Sequence, residues 1–314
     1  MFKELLILSV VVAFSLLTYY LVEPFAHHAM HPHVESKHFA YADLPEVTKT
    51  GNAEAGKALA VDGYACVACH SIESQGLPAT MDAVTAAQSY GVNPPDLSVA
   101  GGLYDAKFLA ALVKNPAHAL NLDHKYPADG TKVHPMSSFA GMGGDLEQEV
   151  ADIVAYLVSI SPKSEEITDK VAYENACGRC HALRYNNWTP MGDKPRFKYK
   201  QDELRFDASV LDYQASVTKY MGKLPPDLSM YYRSRGPHFI ETLIEDPQSQ
   251  LKGTAMPRVG VTAESAEKVI AYLEEAADPH AEARNSLGKN VMIYMIFFIL
   301  FAFLWKKQVW KKLH

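Results

Sequence analysis

The chain has 314 residues, a formal net charge of −6, 48% hydrophobic residues, 21% charged residues and four cysteines. Its length suggests about two domains, and so apolar a composition excludes a disordered chain. The acidic balance argues against a nucleic-acid binder, the few apolar runs (each span needs about 20 residues) against a polytopic transporter, and the low cysteine count against a disulfide scaffold.

In chain order, the first element is an unbroken run without formal charge over residues 5–22, preceded by Lys3 and Glu4. As a helix rising about 1.5 Å per residue it nearly crosses a hydrocarbon core. A cleaved signal peptide would end in a small-x-small site. Here the run ends in Tyr19-Tyr20-Leu21-Val22-Glu23-Pro24, an aromatic pair at interfacial depth, so an uncleaved anchor is the preferred reading. His27, His28, His31, His33 and His38 follow. Such a cluster is able to bind metal, but it has no carboxylate or cysteine at helical spacing, and a linker is the better reading.

The middle of the chain is a duplication. The first copy runs from a helix-like stretch at 53–64 into Cys66-Val67-Ala68-Cys69-His70, then Pro94-Pro95-Asp96-Leu97-Ser98, a loop with Met136, and an amphipathic helix at 146–160. Pro162 and the charged stretch 163–166 form a linker. The second copy has Cys177-Gly178-Arg179-Cys180-His181, Pro225-Pro226-Asp227-Leu228-Ser229, Met256-Pro257 and a helix containing Lys268-Val269-Ile270-Ala271-Tyr272-Leu273. Neither copy has long alternating strands, so both read as helices joined by long loops, which are functional or wrapped around something. The run 291–305 comes last. It is short for a span, but it is flanked by Lys289 and by the basic Lys306, Lys307, Lys311 and Lys312, with Trp305 and Trp310 at interfacial positions. Positive charge at both extremities places both ends in the cytoplasm and everything between them on the far side, the periplasm of a bacterium.

Cys-x-x-Cys-His is the attachment motif of c-type haem. Two thiols on one turn each add to a vinyl group of one porphyrin, and the adjacent histidine lies over the iron. A four-cysteine zinc site would have its pairs about 15–20 residues apart, whereas Cys69 and Cys177 are more than 100 apart. Two short disulfides would leave the histidine after each pair unexplained. The sequence therefore calls for two covalently attached haem c groups, held by Cys66, Cys69 and His70 and by Cys177, Cys180 and His181. A methionine sixth ligand suits an electron carrier and an open position suits catalysis. Met256 is the candidate for the second iron. Met136 is the candidate for the first, with Met142 and His134 as alternatives. The proximal imidazoles should each donate their second ring proton to a carbonyl, and the two Pro-Pro-Asp-Leu-Ser loops are its expected source. Arg233 and Arg235 are placed to pair with haem propionates, or else are solvated surface residues. No catalytic triad or phosphate loop is evident.

From about residue 172 onward the chain resembles cytochrome c1 of quinol–cytochrome c reductases, the bc1 complexes. The resemblance rests on Cys177 to His181, the Leu224 to Ser229 loop followed by arginines, Met256-Pro257, and the closing helix running through Asp278-Pro279-His280 into a membrane helix with a basic tail. The stretch from about residue 52 to 160 resembles a class I cytochrome c, with Met136-Ser137 in place of that class's Met-Pro. A diheme subunit of certain bacterial bc1 complexes has this shape. The resemblance implies a cytochrome b and a Rieske iron–sulfur protein as partners within a dimeric complex, with electrons leaving to a periplasmic cytochrome c or a terminal oxidase. A diheme subunit of a cbb3-type oxidase or another periplasmic dehydrogenase is the alternative, but those usually lack a membrane helix after the last haem motif. A diheme peroxidase would need an iron that is open or held by a displaceable histidine. The expected fold is mainly α, with two tandem cytochrome c-type haem domains between two transmembrane helices. Its parts are an anchor at 1–25, a His-rich linker at 26–50, domains at 51–162 and 163–286, and a membrane helix with its tail at 287–314. Residues 51–162 carry 5 basic and 12 acidic residues, against 17 and 19 in 163–288, so the first domain is expected to offer an acidic face to a basic acceptor.

Overall fold

Two long apolar helices bracket the chain in a computed structural model that describes residues 2–30, 36–63 and 65–313. The first runs Phe2–Leu17, Thr18–Val22 and Glu23–Met30 without a break. Pro24 has no amide hydrogen, and its ring would collide with the carbonyl four residues back. The helix widens into a π-turn just before it, and the Glu23 amide donates to the Thr18 carbonyl five residues back. The last helix, Ala281–Leu313, is longer than the apolar run within it. Its first turns, Ala281-Glu282-Ala283-Arg284, are good helix formers and continue the helix into the polar side, giving about 50 Å at 1.5 Å per residue. Both helices are long and apolar enough to cross a membrane, with mean hydropathies of 2.4 over Lys3–Ala26 and 2.0 over Ala281–Lys312, and neither window is buried against the rest of the chain. Lys306 Nζ lies 3.3 Å from Glu4 Oε1, so the end of the last helix meets the start of the first.

The fold between them is mainly helical, as expected, and its two halves share one plan. In the first half, helix Ala53–Lys57 crosses helix Leu146–Ile160. Asn52 caps the former by accepting from the amides of Glu54 and Ala55, and its own amide donates to Asp152 Oδ1 at 2.7 Å. At the crossing a Cβ on Gly56 would lie 1.9 Å from the Asp152 carbonyl oxygen, so the approach requires glycine. Gly56→Ala is therefore expected to cost about 3 kcal/mol, because backbone and not a pliable side chain must move. Denaturant unfolding reads this directly, and a wild-type midpoint would refute the close crossing. In the second half, helix Asp169–Ala176 crosses Ala263–Ala277 in the same way, with Ala172 and Tyr173 wholly buried.

The halves are joined through a common core in which Leu103 and Phe108 pack with Ile167, Tyr173 and Val261. Main-chain bonds seal the seam: Asp105 N–H donates to Gly260 O at 2.9 Å, and Thr262 N–H to Leu103 O at 3.2 Å. Gly260 has a φ of +77°, and a Cβ there would sit 2.1 Å from the Phe108 ring. A two-stranded hairpin, Trp188–Thr189 with Gly192–Asp193, interrupts the helices. The 22-residue helix Lys200–Met221, in the long insert between the second motif and its proline loop, packs on helix Ala83–Tyr90 of the first half through Tyr213, Val217 and Ala87.

Residues 36–44, expected as part of a linker, form a strap on the second half. The Ser36 hydroxyl and the amides of Lys37 and Phe39 all donate to the buried Glu245 carboxylate, at 2.8, 2.8 and 2.7 Å. Phe39, Tyr41 and Leu44 are buried. Asp43 pairs with Arg258 through both carboxylate oxygens, at 3.2 and 2.7 Å.

Candidate haem-binding sites

Both Cys-x-x-Cys-His motifs fold into the same turn. The fourth and fifth residues of each donate their amides to the first cysteine's carbonyl: Cys69 and His70 to Cys66 at 3.1 and 3.0 Å, Cys180 and His181 to Cys177 at 3.1 and 3.0 Å. The geometry brings each cysteine pair and its histidine onto one turn. All four thiols are free. Burial pushes the Cys66 thiol up to about 11 and the Cys177 thiol up to about 12, each helped by the second cysteine of its pair, and burial also raises Cys180. These are protonated thiols, unlike the low-pKa thiolate of a cysteine nucleophile.

Each histidine is aimed by its proline loop. His70 Nδ1 lies 2.8 Å from the Pro95 carbonyl oxygen, and His181 Nδ1 lies 2.8 Å from that of Pro226. Burial lowers the pKa of both rings, against the opposing pull of those carbonyls. A neutral imidazole that donates from Nδ1 presents a lone pair at Nε2. The loops are braced identically. The Leu97 amide donates to Ser71 O and the Leu228 amide to Ala182 O, both at 2.9 Å. Asp96 accepts from the amides of Glu73 and Ser98, and Asp227 from those of Arg184 and Ser229. Ser98 and Ser229 accept from the amides of Ser74 and Tyr185. The repeated order of motifs along the chain thus corresponds, bond for bond, to a repeated frame around each histidine. Free paired thiols, a neutral imidazole with a committed tautomer and an apolar surround are the donor set that covalent haem requires, so the residues fit the group.

The candidate sixth ligands lie on loops. Met136 is half-buried, and three residues on Phe139 packs on the cluster that also receives Cys66, Val67 and Leu97. His134 has both ring nitrogens engaged: Nδ1 accepts from the Met136 amide at 3.1 Å, and Nε2 lies 3.3 Å from the Tyr220 hydroxyl. Met142 is 57% exposed, and its amide donates to the Glu149 carboxylate. Met256 is half-buried, its amide donating to Thr254 Oγ1 at 3.2 Å, on a loop held by the buried Arg258. Arg233 and Arg235 are exposed on helix Tyr231–Arg235, and the Arg235 guanidinium lies 5.2 Å from the centre of the Phe239 ring. Of the histidine cluster, His31 and His33 and the side chains of His27 and His28 lie outside the described residues. Among the described residues no group of three or more metal-ligating side chains converges.

Sequence reasoning did not single out Arg179, Asn93 and Tyr213, which link the two motifs. The available signal was the contrast between Val67-Ala68 in one motif and Gly178-Arg179 in the other.

Comparison with known proteins gives two family matches. Residues 53–161 match cytochrome c, and residues 258–313 match the cytochrome C1 family. Among solved structures, a chain described as "Hyperthermophilic respiratory Complex III" is similar at 24% identity and a TM-score of 0.38, over 48% of this chain and 76% of that one. No curated protein matches.

Proposed function

We propose that this chain is a membrane-anchored diheme c-type cytochrome that carries electrons out of a quinol–cytochrome c reductase of the bc1 type. The observation that carries the reading is the duplicated frame, in which two thiols, one imidazole and one proline carbonyl recur with the same bonds in each half. The cytochrome c match of the first half and the cytochrome C1 match of the C-terminal region support the assignment to this class of complex. The C1 match includes the closing helix, which favours the reductase over a cbb3-type oxidase subunit.

A bound haem c supplies a one-electron iron couple. Cys66 and Cys69 would hold the first by thioethers, and Cys177 and Cys180 the second. His70 and His181 offer Nε2 to the irons while Pro95 and Pro226 fix the ring planes. Met136 and Met256 would supply the second ligand of each iron, which suits transfer without substrate chemistry, and Arg233 and Arg235 would pair with propionates at the second site. The buried aliphatic and aromatic residues behind each motif exclude water, so little reorganisation accompanies a change of charge. The partners are a cytochrome b and a Rieske iron–sulfur protein, with entry at the His181 site and exit from the His70 site to a periplasmic carrier or oxidase. The Glu4–Lys306 pair supports a topology with both termini on one face, the cytoplasmic one by the positive charge of the tail.

Purification of the full chain from native membranes tests this reading. Cytochrome b and the Rieske protein should co-purify, and their absence would overturn it. The acidic first half predicts that acceptor reduction slows as ionic strength rises, with the Debye length shrinking from about 30 Å at 0.01 M to about 10 Å at 0.1 M. A rate that does not fall with added salt would remove the docking face from the account.

A further inference from the structure

Arg179 occupies the second motif, but its side chain reaches into the first half. Its Nη1 donates to the Asn93 carbonyl oxygen at 3.0 Å. The Asn93 amide donates to the Tyr213 hydroxyl at 3.3 Å, and that hydroxyl donates to the Arg179 carbonyl at 2.8 Å. These three bonds close a ring around the wholly buried Tyr213. Two residues after Asn93 comes Pro95, whose carbonyl holds His70 Nδ1. One residue after Arg179 comes Cys180, and then His181. A path from one imidazole to the other therefore crosses only two hydrogen bonds, and the rest of it is covalent.

Arg179 also lines a cavity of about 270 Å³ together with Cys69, Asn93, Pro94, Gly178 and Trp188. Cys69 belongs to one attachment motif and Gly178 to the other, so both motifs line the cavity, as do the carboxylate residues Glu73, Asp96 and Glu174. The guanidinium Nε is buried there without a hydrogen-bond partner. Among the described residues no carboxylate forms an ion pair with Arg179, so its charge is not neutralised at contact. That charge bears on the His70 ring, where Asp96 acts with the opposite sign, and on the Cys177 and Cys180 thiols of its own motif, whereas the charge bearing on the His181 ring is that of Asp227.

We propose that Arg179 is a positioning residue that couples the two haem sites, holding a fixed positive charge beside the His70 site and bracing, through Asn93, the loop that orients His70. This rests on the diheme reading above. Oxidised haem carries one more positive charge than reduced haem, so a cation held beside it disfavours oxidation and raises the potential. The charge would therefore hold the potential of a haem at the His70 site above the value that site would have without it.

Spectroelectrochemical titration of the full-length chain carrying both haems tests the proposal. R179Q should lower the midpoint of the His70 haem, while R179K, which keeps the charge, should stay close to wild type. The two haems are told apart by repeating the titration in chains lacking one cysteine pair. Should R179Q fail to assemble, M81E places a carboxylate from the half-buried Met81 on the wall of the same cavity and should lower the same midpoint. An unmoved His70 midpoint in R179Q, or in M81E where that variant is needed, overturns the proposal. So does a drop in R179K equal to that in R179Q, which would mark a packing role without charge. Two haems per chain with an unmoved midpoint defeats this inference alone, whereas one haem per chain defeats the diheme reading and the inference together.

Discussion

Replacing Cys177 and Cys180 together by serine is expected to halve the covalent haem of the chain, and replacing Cys66 and Cys69 is expected to remove the other half. Each motif carries its own turn and its own proline-loop frame, so neither attachment needs the other's cysteines. The two variants should differ in stability. Cys177 is 9% exposed and belongs to the core shared by both halves, whereas Cys69 is exposed. A serine hydroxyl at Cys177 without a partner costs about 1–3 kcal/mol, whereas in the first pair only the partly buried Cys66, and not the exposed Cys69, carries such a penalty. The ratio of the pyridine haemochrome signal to protein mass gives the haem count, and denaturant unfolding gives the stability difference. Full haem content in either double variant would contradict the site assignment.

Glu245→Ala is expected to be among the most destabilising single changes outside the haem motifs, costing about 3–5 kcal/mol. The carboxylate is 5% exposed and accepts from three donors of the strap. Its loss leaves main-chain donors of Lys37 and Phe39 without their acceptor, at about 1–3 kcal/mol for each buried unsatisfied group. Phe39 and Tyr41 have φ values of +57° and +43°, a conformation that bulky side chains hold only when their surroundings impose it. With Glu245 gone the strap should detach, exposing Phe39, Tyr41 and Leu44. Faster proteolysis within 36–44 would accompany the lower unfolding midpoint. Glu245→Gln keeps the volume but turns an amide donor toward other donors, so its loss should be intermediate. An alanine variant that unfolds and resists protease like wild type would show that the strap contributes nothing.

What could be read from the sequence was mainly what is local. Cys-x-x-Cys-His occupies one turn, and because Pro-Pro-Asp-Leu-Ser recurs at the same place in both halves, its carbonyl could be expected on the histidine ring. Both terminal helices were legible as long apolar runs, although the last extends beyond its run because helix-forming polar residues continue it. The strap was not legible. Ser36, Asp43 and the residues between them carry no periodicity, and their partners Glu245 and Arg258 lie more than 200 residues away. Helix Lys200–Met221 was hidden for a related reason: Tyr213 and Val217 are its buried residues, so its apolar stripe is too thin to stand out. Arg179 could not be recognised as a link because an arginine between two cysteines shows nothing of the carbonyl it reaches in the other half.

Stopped-flow reduction of the purified complex by quinol, followed through the c-type absorbance, tests the central claim most directly. The His181 site should gain its electron before the His70 site, and the chain lacking Cys66 and Cys69 should keep the fast phase and lose the later one. Reduction of the His70 site first at every time point, or no reduction of either site by quinol, would contradict the account.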